Sequence, residues 1–288
     1  MMKVKKQVGK SMLTLAIFAL LCAPFDVDAK IIAGGSSQAK YKSMGSCIYP
    51  DRASAEVLVT NFLNTLQVYT KNYGGDEAQI LFNYKNQYAW EQDMKPGEWK
   101  YNSIDDVNFM IYAGHGLKKG TYFLQHNSLH YFTQNSFTSF HNTTDYSESS
   151  YSSNLETTEA AWGKTGTKTR WVALFTCNFL NPIDSKYNNM MQGISICMGF
   201  ETTMYLVGTQ GWQFASDMGY GYPIIDSFLD GCEIHQTGKC DNDVVATAIY
   251  YYKARNDTIY SYNMVRPVSI DKNPSIYRTI RRVCKKKG

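Results

Sequence analysis

Two stretches, "NFMIYAGHG" at 108–116 and "RWVALFTCNFL" at 170–180, are short, nearly continuous apolar runs bounded by polar residues. A strand with one wet face alternates apolar and polar residues. One that is apolar at almost every position must be covered on both sides, as strands of a parallel sheet are. Around these runs the pattern alternates in type. "RASAEVLVTNFLNTLQVYTKNY" carries apolar residues at helical spacing from Ala53 to Tyr69 and stops before Gly74 and Gly75, which predicts a helix. "AQILFNY", from Ala78 to Tyr84, reads as a strand, and "TYFLQHN" as a possible partner strand. "TMYLVGTQGW" reads as a further strand, "NMMQGISICMGF" as a helix or irregular connection, and "DVVATAIYYYKAR" as an amphipathic helix. Residues 135–169 are rich in Ser, Thr, Asn and Tyr and read as a polar surface insertion, with one helix in "NLETTEAAW". No repeat or linker divides the chain. The expectation is an α/β fold: one domain over 30–288, with a mostly parallel central sheet and helices on both faces.

Residues 1–29 have the form of a secretory signal: lysines first, an apolar core from Leu13 to Leu21, and the small residue Ala29 at the cleavage point. That core is shorter than the ~20 residues of a spanning helix, so export without stable membrane insertion is expected. An oxidising destination permits disulfides, and the spacing of Cys232 and Cys240, or of Cys47 and Cys284, allows pairing. Cys177 and Cys197 remain, each inside an apolar segment. The formal net charge is +4, much of it in the terminal "RRVCKKKG", and no basic stripe interleaves with aromatics. Nucleic-acid binding is therefore not expected, nor is a metal or other cofactor, since no metal-ligand spacing occurs.

In a parallel α/β sheet, reactive groups collect beyond the carboxyl ends of the strands. Two apolar strands here run into His115 and Cys177. If they are neighbours, an imidazole and a thiol share one rim and can act as a proton-transfer pair. Gly114 and Gly116 let the backbone turn at the histidine and leave an N–H free to face an oxyanion. No Gly-x-Ser-x-Gly elbow supports a serine nucleophile. "KIIAGG" at Lys30 has the look of a trypsin-like activation terminus, but nothing later supplies the rest of such a site.

With these residues in place, the sequence resembles the caspase-like cysteine peptidases, the clan of caspases, legumain, gingipains, clostripain and separase, and in particular a secreted branch of it. In that clan a hydrophobic strand ends in His-Gly and a later one in the nucleophilic Cys, as "NFMIYAGHG" and "WVALFTCNFL" do. The resemblance extends from Ala78 to Ser227. It implies a secreted peptidase acting on protein or peptide substrates, with Cys177 as nucleophile and His115 as general acid. It also implies an oxyanion hole formed by the N–H groups of Gly116 and Cys177. "GFETTMYLVGTQGWQF" is similar to the segment that borders the substrate cleft, so Gln210, Gly211 and Trp212 are expected to offer a strand edge to an extended peptide. Asn178 is expected to end the nucleophile strand. The charged specificity pocket of caspases and legumain has no counterpart here. Asp217 and Asp226 read as solvated carboxylates, and His126, His130, His141 and His235 as surface histidines. The alternative is a catalytically silent domain that binds a peptide or surface ligand and keeps Cys177 buried or bonded.

Overall fold

The computed structural model describes residues 31–39, 53–89, 91–97, 101–114, 122–125, 128–131, 136–141, 152–156, 160–181, 187–261, 265–286 and 288. The expected signal segment, His115, Gly116, Cys47 and His126 lie outside them.

Seven strands form the central sheet: β1 (Ile32–Ser37), β2 (Gln79–Lys85), β3 (Phe109–Ala113), β8 (Trp171–Phe175), β9 (Ile196–Phe200), β10 (Val244–Tyr251) and β11 (Tyr277–Cys284). Their order is β11-β10-β9-β8-β3-β1-β2. The run from β2 to β9 is parallel, while β10 is antiparallel to both β9 and β11. Two hairpins lie apart from this sheet: β4 (Tyr122–Gln125) with β5 (Ser128–Tyr131), and β6 (Ser136–His141) with β7 (Ser152–Glu156). Besides the one-turn α2 (Tyr187–Met190), three helices pack on the sheet: α1 (Ala53–Tyr69), α3 (Gly208–Gly219) and α4 (Ile224–Gln236). The fold is thus α/β, with a mixed, mostly parallel sheet.

The apolar runs behave as their composition demands, because every residue of β3, β8 and β9 is buried. On the helical side, Phe62 of α1 meets Phe109 and Phe214 at ring separations of 5.1 and 5.2 Å. Phe228 of α4 meets Phe175, Phe200 and Phe214 at 5.6, 5.7 and 5.6 Å. Each such pair adds about 0.5–1.5 kcal/mol beyond the area it buries, so this seam fixes α1, α3 and α4 against one face. On the other face Phe179 lies on Gly199, where a Cβ would come within 2.3 Å of its ring. Trp162 packs on Phe179, and its backbone N–H donates to Met190 O of α2 at 2.8 Å.

Several expectations change. "DVVATAIYYYKAR" forms β10 rather than a helix, because Val244–Tyr251 is bonded along both sides, to β9 and β11. The strand expected in "TMYLVGTQGW" is an irregular segment that leads into α3, and the neighbouring strand is "ICMGF" of β9. "NLETTEAAW" contributes to β7, and its end turns inward: Trp162, inside the stretch read as polar surface, is fully buried and donates from Nε1 to Met94 O at 2.7 Å. "IAGG", set aside as a chance match, belongs to β1 between β2 and β3. Its glycines are required there. A Cβ on Gly34 would sit 2.4 Å from the Phe82 ring, and one on Gly35 would sit 2.5 Å from Val59.

Candidate functional site

The site is built by strand register. β3 and β8 are adjacent and parallel, with Ala113 opposite Phe175, and Gly114 N–H donates to Phe175 O at 3.3 Å. The two chains therefore run side by side to the edge of the sheet, as far as Gly114 on one and Phe175 on the other, and in sequence His115 and Cys177 each come two residues after the last matched pair. The order also places a topological switch between β1 and β3, because the chain moves outward from β1 to β2 and from β3 to β8 and β9. Such switch points open the crevice in which parallel sheets bind ligands.

Cys177 is half-buried, and its chain turns at once: Asn178 has φ 57°, left-handed backbone that asparagine tolerates better than most residues. Asn178 N–H donates to Thr202 O at 3.0 Å and its carbonyl accepts Asn181 N–H at 3.1 Å. The strand itself stops at Phe175, so the asparagine expected to end it instead shapes the turn that follows. Both backbone groups of Met204, on successive peptides, face the sulfur: Met204 N–H donates to Cys177 Sγ at 3.4 Å, and Sγ lies 3.5 Å from Met204 O. A thiolate would gain from the first contact, since hydrogen bonds to ionised acceptors are the stronger kind.

The other described cysteines have different surroundings. Cys197 is fully buried in β9, and burial pushes its thiol far above the usual range. Cys232 lies inside α4, where burial and then the nearby Cys284 raise its thiol well above normal. Burial pushes Cys284 up to about 11, and burial followed by Cys177 and Asp241 raises Cys240. Among the described residues there is no disulfide. The expected Cys232–Cys240 bridge is not formed, because α4 points Cys232 into the core, where Gln210 Nε2 donates to its sulfur at 3.2 Å.

The strand edge expected from Gln210, Gly211 and Trp212 is also not formed, since all three lie on α3. Gln210 is buried. Gly211 faces α1 so closely that a Cβ would be 2.1 Å from Leu58 O. Trp212 is 45% exposed on the outer side of the helix. The segment between β9 and α3 contacts the thiol instead, through Met204. Sequence reading missed Gln236, at the end of α4: its Oε1 accepts Tyr205 N–H at 2.9 Å, and its Nε2 donates to Tyr205 O at 2.7 Å and to Gln210 Oε1 at 2.8 Å. Only its burial in the fold distinguishes it from any polar residue near a helix end.

The remaining candidates separate clearly. Asp226 forms a bidentate pair with Arg255 at 2.7 and 3.0 Å. Burial, then Asp230, raises the Asp217 carboxyl against the opposing hydrogen bond from Gln213. His235 contacts Thr209, and its burial lowers its basicity. Among the described residues no group of His, Cys, Asp and Glu could hold a metal ion, and no helix is long and apolar enough to cross a membrane.

These features define an α/β protein with a half-buried cysteine at the carboxyl edge of a mostly parallel sheet, beside the strand that ends at Ala113 and leads into Gly114. Over residues 51–281 the chain matches a domain family described as a domain of unknown function, DUF6345, and it belongs to that family. No curated protein matches it.

Proposed function

We propose that this protein is a secreted cysteine peptidase of caspase-like type, with Cys177 as nucleophile, His115 as proton-transfer partner and no cofactor. The observation that carries the reading is the β3–β8 register, with Ala113 beside Phe175, because it brings the two motif-bearing strand ends to one rim. The Met204 N–H contact supports it, since a hydrogen bond to the sulfur favours its ionised form.

In this chemistry the Cys177 thiolate attacks the scissile carbonyl and forms a C–S bond, while the N–H groups of Gly116 and Cys177 stabilise the oxyanion. The C–N bond then breaks, and the leaving amine takes its proton from His115. Water, giving a proton to the same imidazole, then attacks the thioester; the C–S bond breaks, the acid product leaves, and the thiolate and protonated imidazole are restored. The substrate is a protein or peptide.

The test is mass-spectrometric mapping of iodoacetamide labelling on the native, reduced protein and on His115→Ala. Cys177 is expected to label far faster than Cys197 and to slow when His115 is removed. Equal, slow labelling of Cys177 in both proteins would overturn the dyad and favour a domain that binds peptides without cleaving them.

A further inference from the structure

Four of the five described cysteines lie along one path at this end of the molecule. Cys177 Sγ meets Met204, and the next residue, Tyr205, is tied through its backbone to the side chain of Gln236, the last residue of α4. Beyond a turn closed by Lys239 N–H on Gln236 O at 3.1 Å stands Cys240. Thr202 makes a second tie between the same two regions, because its carbonyl accepts Asn178 N–H at 3.0 Å and its hydroxyl accepts Val245 N–H at 2.9 Å. Gly238 N–H donates to Lys285 O at 2.9 Å, which sets the turn against the end of β11, where Cys284 pairs with Val244. The thiols act on one another in the same order. After burial, Cys177 is the first group to raise Cys240, Cys284 is the first to raise Cys232, and Cys240 is among those that raise Cys284.

The four are not equivalent. Cys232 in α4 and Cys284 in β11 are fully buried, and burial keeps both thiols protonated, so neither meets a soluble reagent as a nucleophile. Cys177 and Cys240 are half-buried, and each lies in a turn outside helix and strand, where the backbone can adjust to the narrow geometry that a disulfide demands. We propose that Cys177 and Cys240 form a reversible disulfide, with a low-molecular-weight disulfide as the oxidant. The Cys177 thiolate attacks one sulfur of the oxidant, whose S–S bond breaks; one small thiolate leaves, and a mixed disulfide remains on Cys177. Cys240 then gives its proton to solvent and attacks Cys177 Sγ, which expels the second small thiolate. Two protein thiols are oxidised, and the oxidant is reduced to two small thiols. On the reading of Cys177 as nucleophile, on which only this consequence rests, the bridge holds the peptidase off in an oxidising compartment and a small thiol turns it on. The bridge also keeps that sulfur from irreversible oxidation to sulfinic and sulfonic acids.

The experiment incubates the native, reduced, full-length protein with oxidised glutathione and maps the linkages by mass spectrometry without reduction, with Cys240→Ser beside the wild type. The wild type is expected to yield a Cys177 peptide joined to a Cys240 peptide, with loss of iodoacetamide labelling at Cys177 and its full return after reduction. Cys240→Ser is expected to stop one step earlier, with glutathione retained on Cys177. Glutathione retained on wild-type Cys177, a bridge from Cys177 to any other cysteine, or no reaction at Cys177 overturns the proposal. The two ideas fail separately. A bridge that forms in a protein whose Cys177 labelling is indifferent to His115 removes the dyad alone, and His115-dependent labelling without a bridge removes the switch alone.

Discussion

Gly211→Ala opposes two effects whose sizes can be compared. Gly211 lies within α3, where alanine would gain about 1 kcal/mol of helix propensity over glycine. Against this, the added Cβ would stand 2.1 Å from Leu58 O and 2.9 Å from Leu58 C of α1, backbone atoms that cannot rotate away. Contact between carbon and oxygen begins near 3.3 Å, so α1 and α3 must part by about 1 Å. Gly208, Gly211 and Gly219 all turn toward α1, with Ala215 buried between them. The separation is therefore felt along the whole interface, and a gap of that size forfeits about a quarter to a half of each dispersion contact. Overpacking of this kind costs about 1–3 kcal/mol, with backbone against backbone at the upper end. The net expectation is a loss of about 1–2 kcal/mol, or about 2–8 °C in Tm for a domain of this size. Thermal and urea unfolding of the variant provide the assay. An unchanged or raised Tm would mean that propensity wins, the close helix approach is wrong, and Gly211 is open to the peptide-binding role first expected of it.

Asn178→Ala is expected to cost about 1 kcal/mol in urea unfolding, because alanine tolerates φ 57° poorly, whereas Asn178→Gly should leave stability within a few tenths of a kcal/mol. Burial, then Asp106, raises the Asp105 carboxyl against the Gly97 N–H that it accepts at 2.8 Å. Its contribution is fully present below the ordinary value of 3.8 and is lost as pH rises through the higher folded value. The stability of Asp105→Asn relative to wild type should therefore increase from acid to neutral pH, and a flat difference would refute the shift. Thr176→Val removes a fully buried hydroxyl that has no hydrogen-bond partner among the described residues and should raise stability by about 1 kcal/mol, read as a higher urea midpoint at unchanged slope.

Residues whose physics is local were legible in the chain. α1 spans Ala53–Tyr69 as its periodicity requires, and β3 and β8 fall where the continuous apolar runs lie. The order of His115 and Cys177 pointed to one rim, and β3 does pair with β8, up to Gly114. What failed depended on contacts distant in sequence. β1 contains Gly34 and Gly35, which lower strand propensity, yet the crowding by Phe82, Val59 and Leu63 leaves no room for anything larger. β10 has alanines and tyrosines that suit a helix, and only the partners on either side make it a strand. α3 was masked by the same glycines that let it approach α1, so Gln210, Gly211 and Trp212 were assigned to an edge that the fold does not have. Gln236 carried no signal, because its importance lies in a peptide more than thirty residues earlier in the sequence.

The polar atoms of the interior show a contrast along the sheet. Elsewhere buried hydroxyls find backbone acceptors: Thr70 donates to Leu66 O at 2.8 Å, Thr169 to Ile104 O at 2.5 Å, Ser216 to Gln213 O at 2.9 Å and Ser227 to Pro223 O at 3.0 Å. At the carboxyl edge the pattern breaks. Ser36 and Ser37 at the end of β1, and Thr176 just before Cys177, are fully buried with hydroxyls that have no hydrogen-bond partner among the described residues. These residues flank β3, the strand that leads into His115. Each unsatisfied hydroxyl costs about 1–3 kcal/mol against a total stability of about 5–15 kcal/mol, so a fold shaped by stability alone would have replaced them with alanine or valine. Asp105 Oδ1 and His235 Nε2 also lack partners among the described residues, but the unsatisfied hydroxyls gather beside the switch point, as in a site that keeps hydrogen-bonding capacity for a ligand. A stabilising Thr176→Val that also slows the reaction at Cys177 would measure that exchange directly, because the same hydroxyl would then be a liability to the fold and an asset to the chemistry.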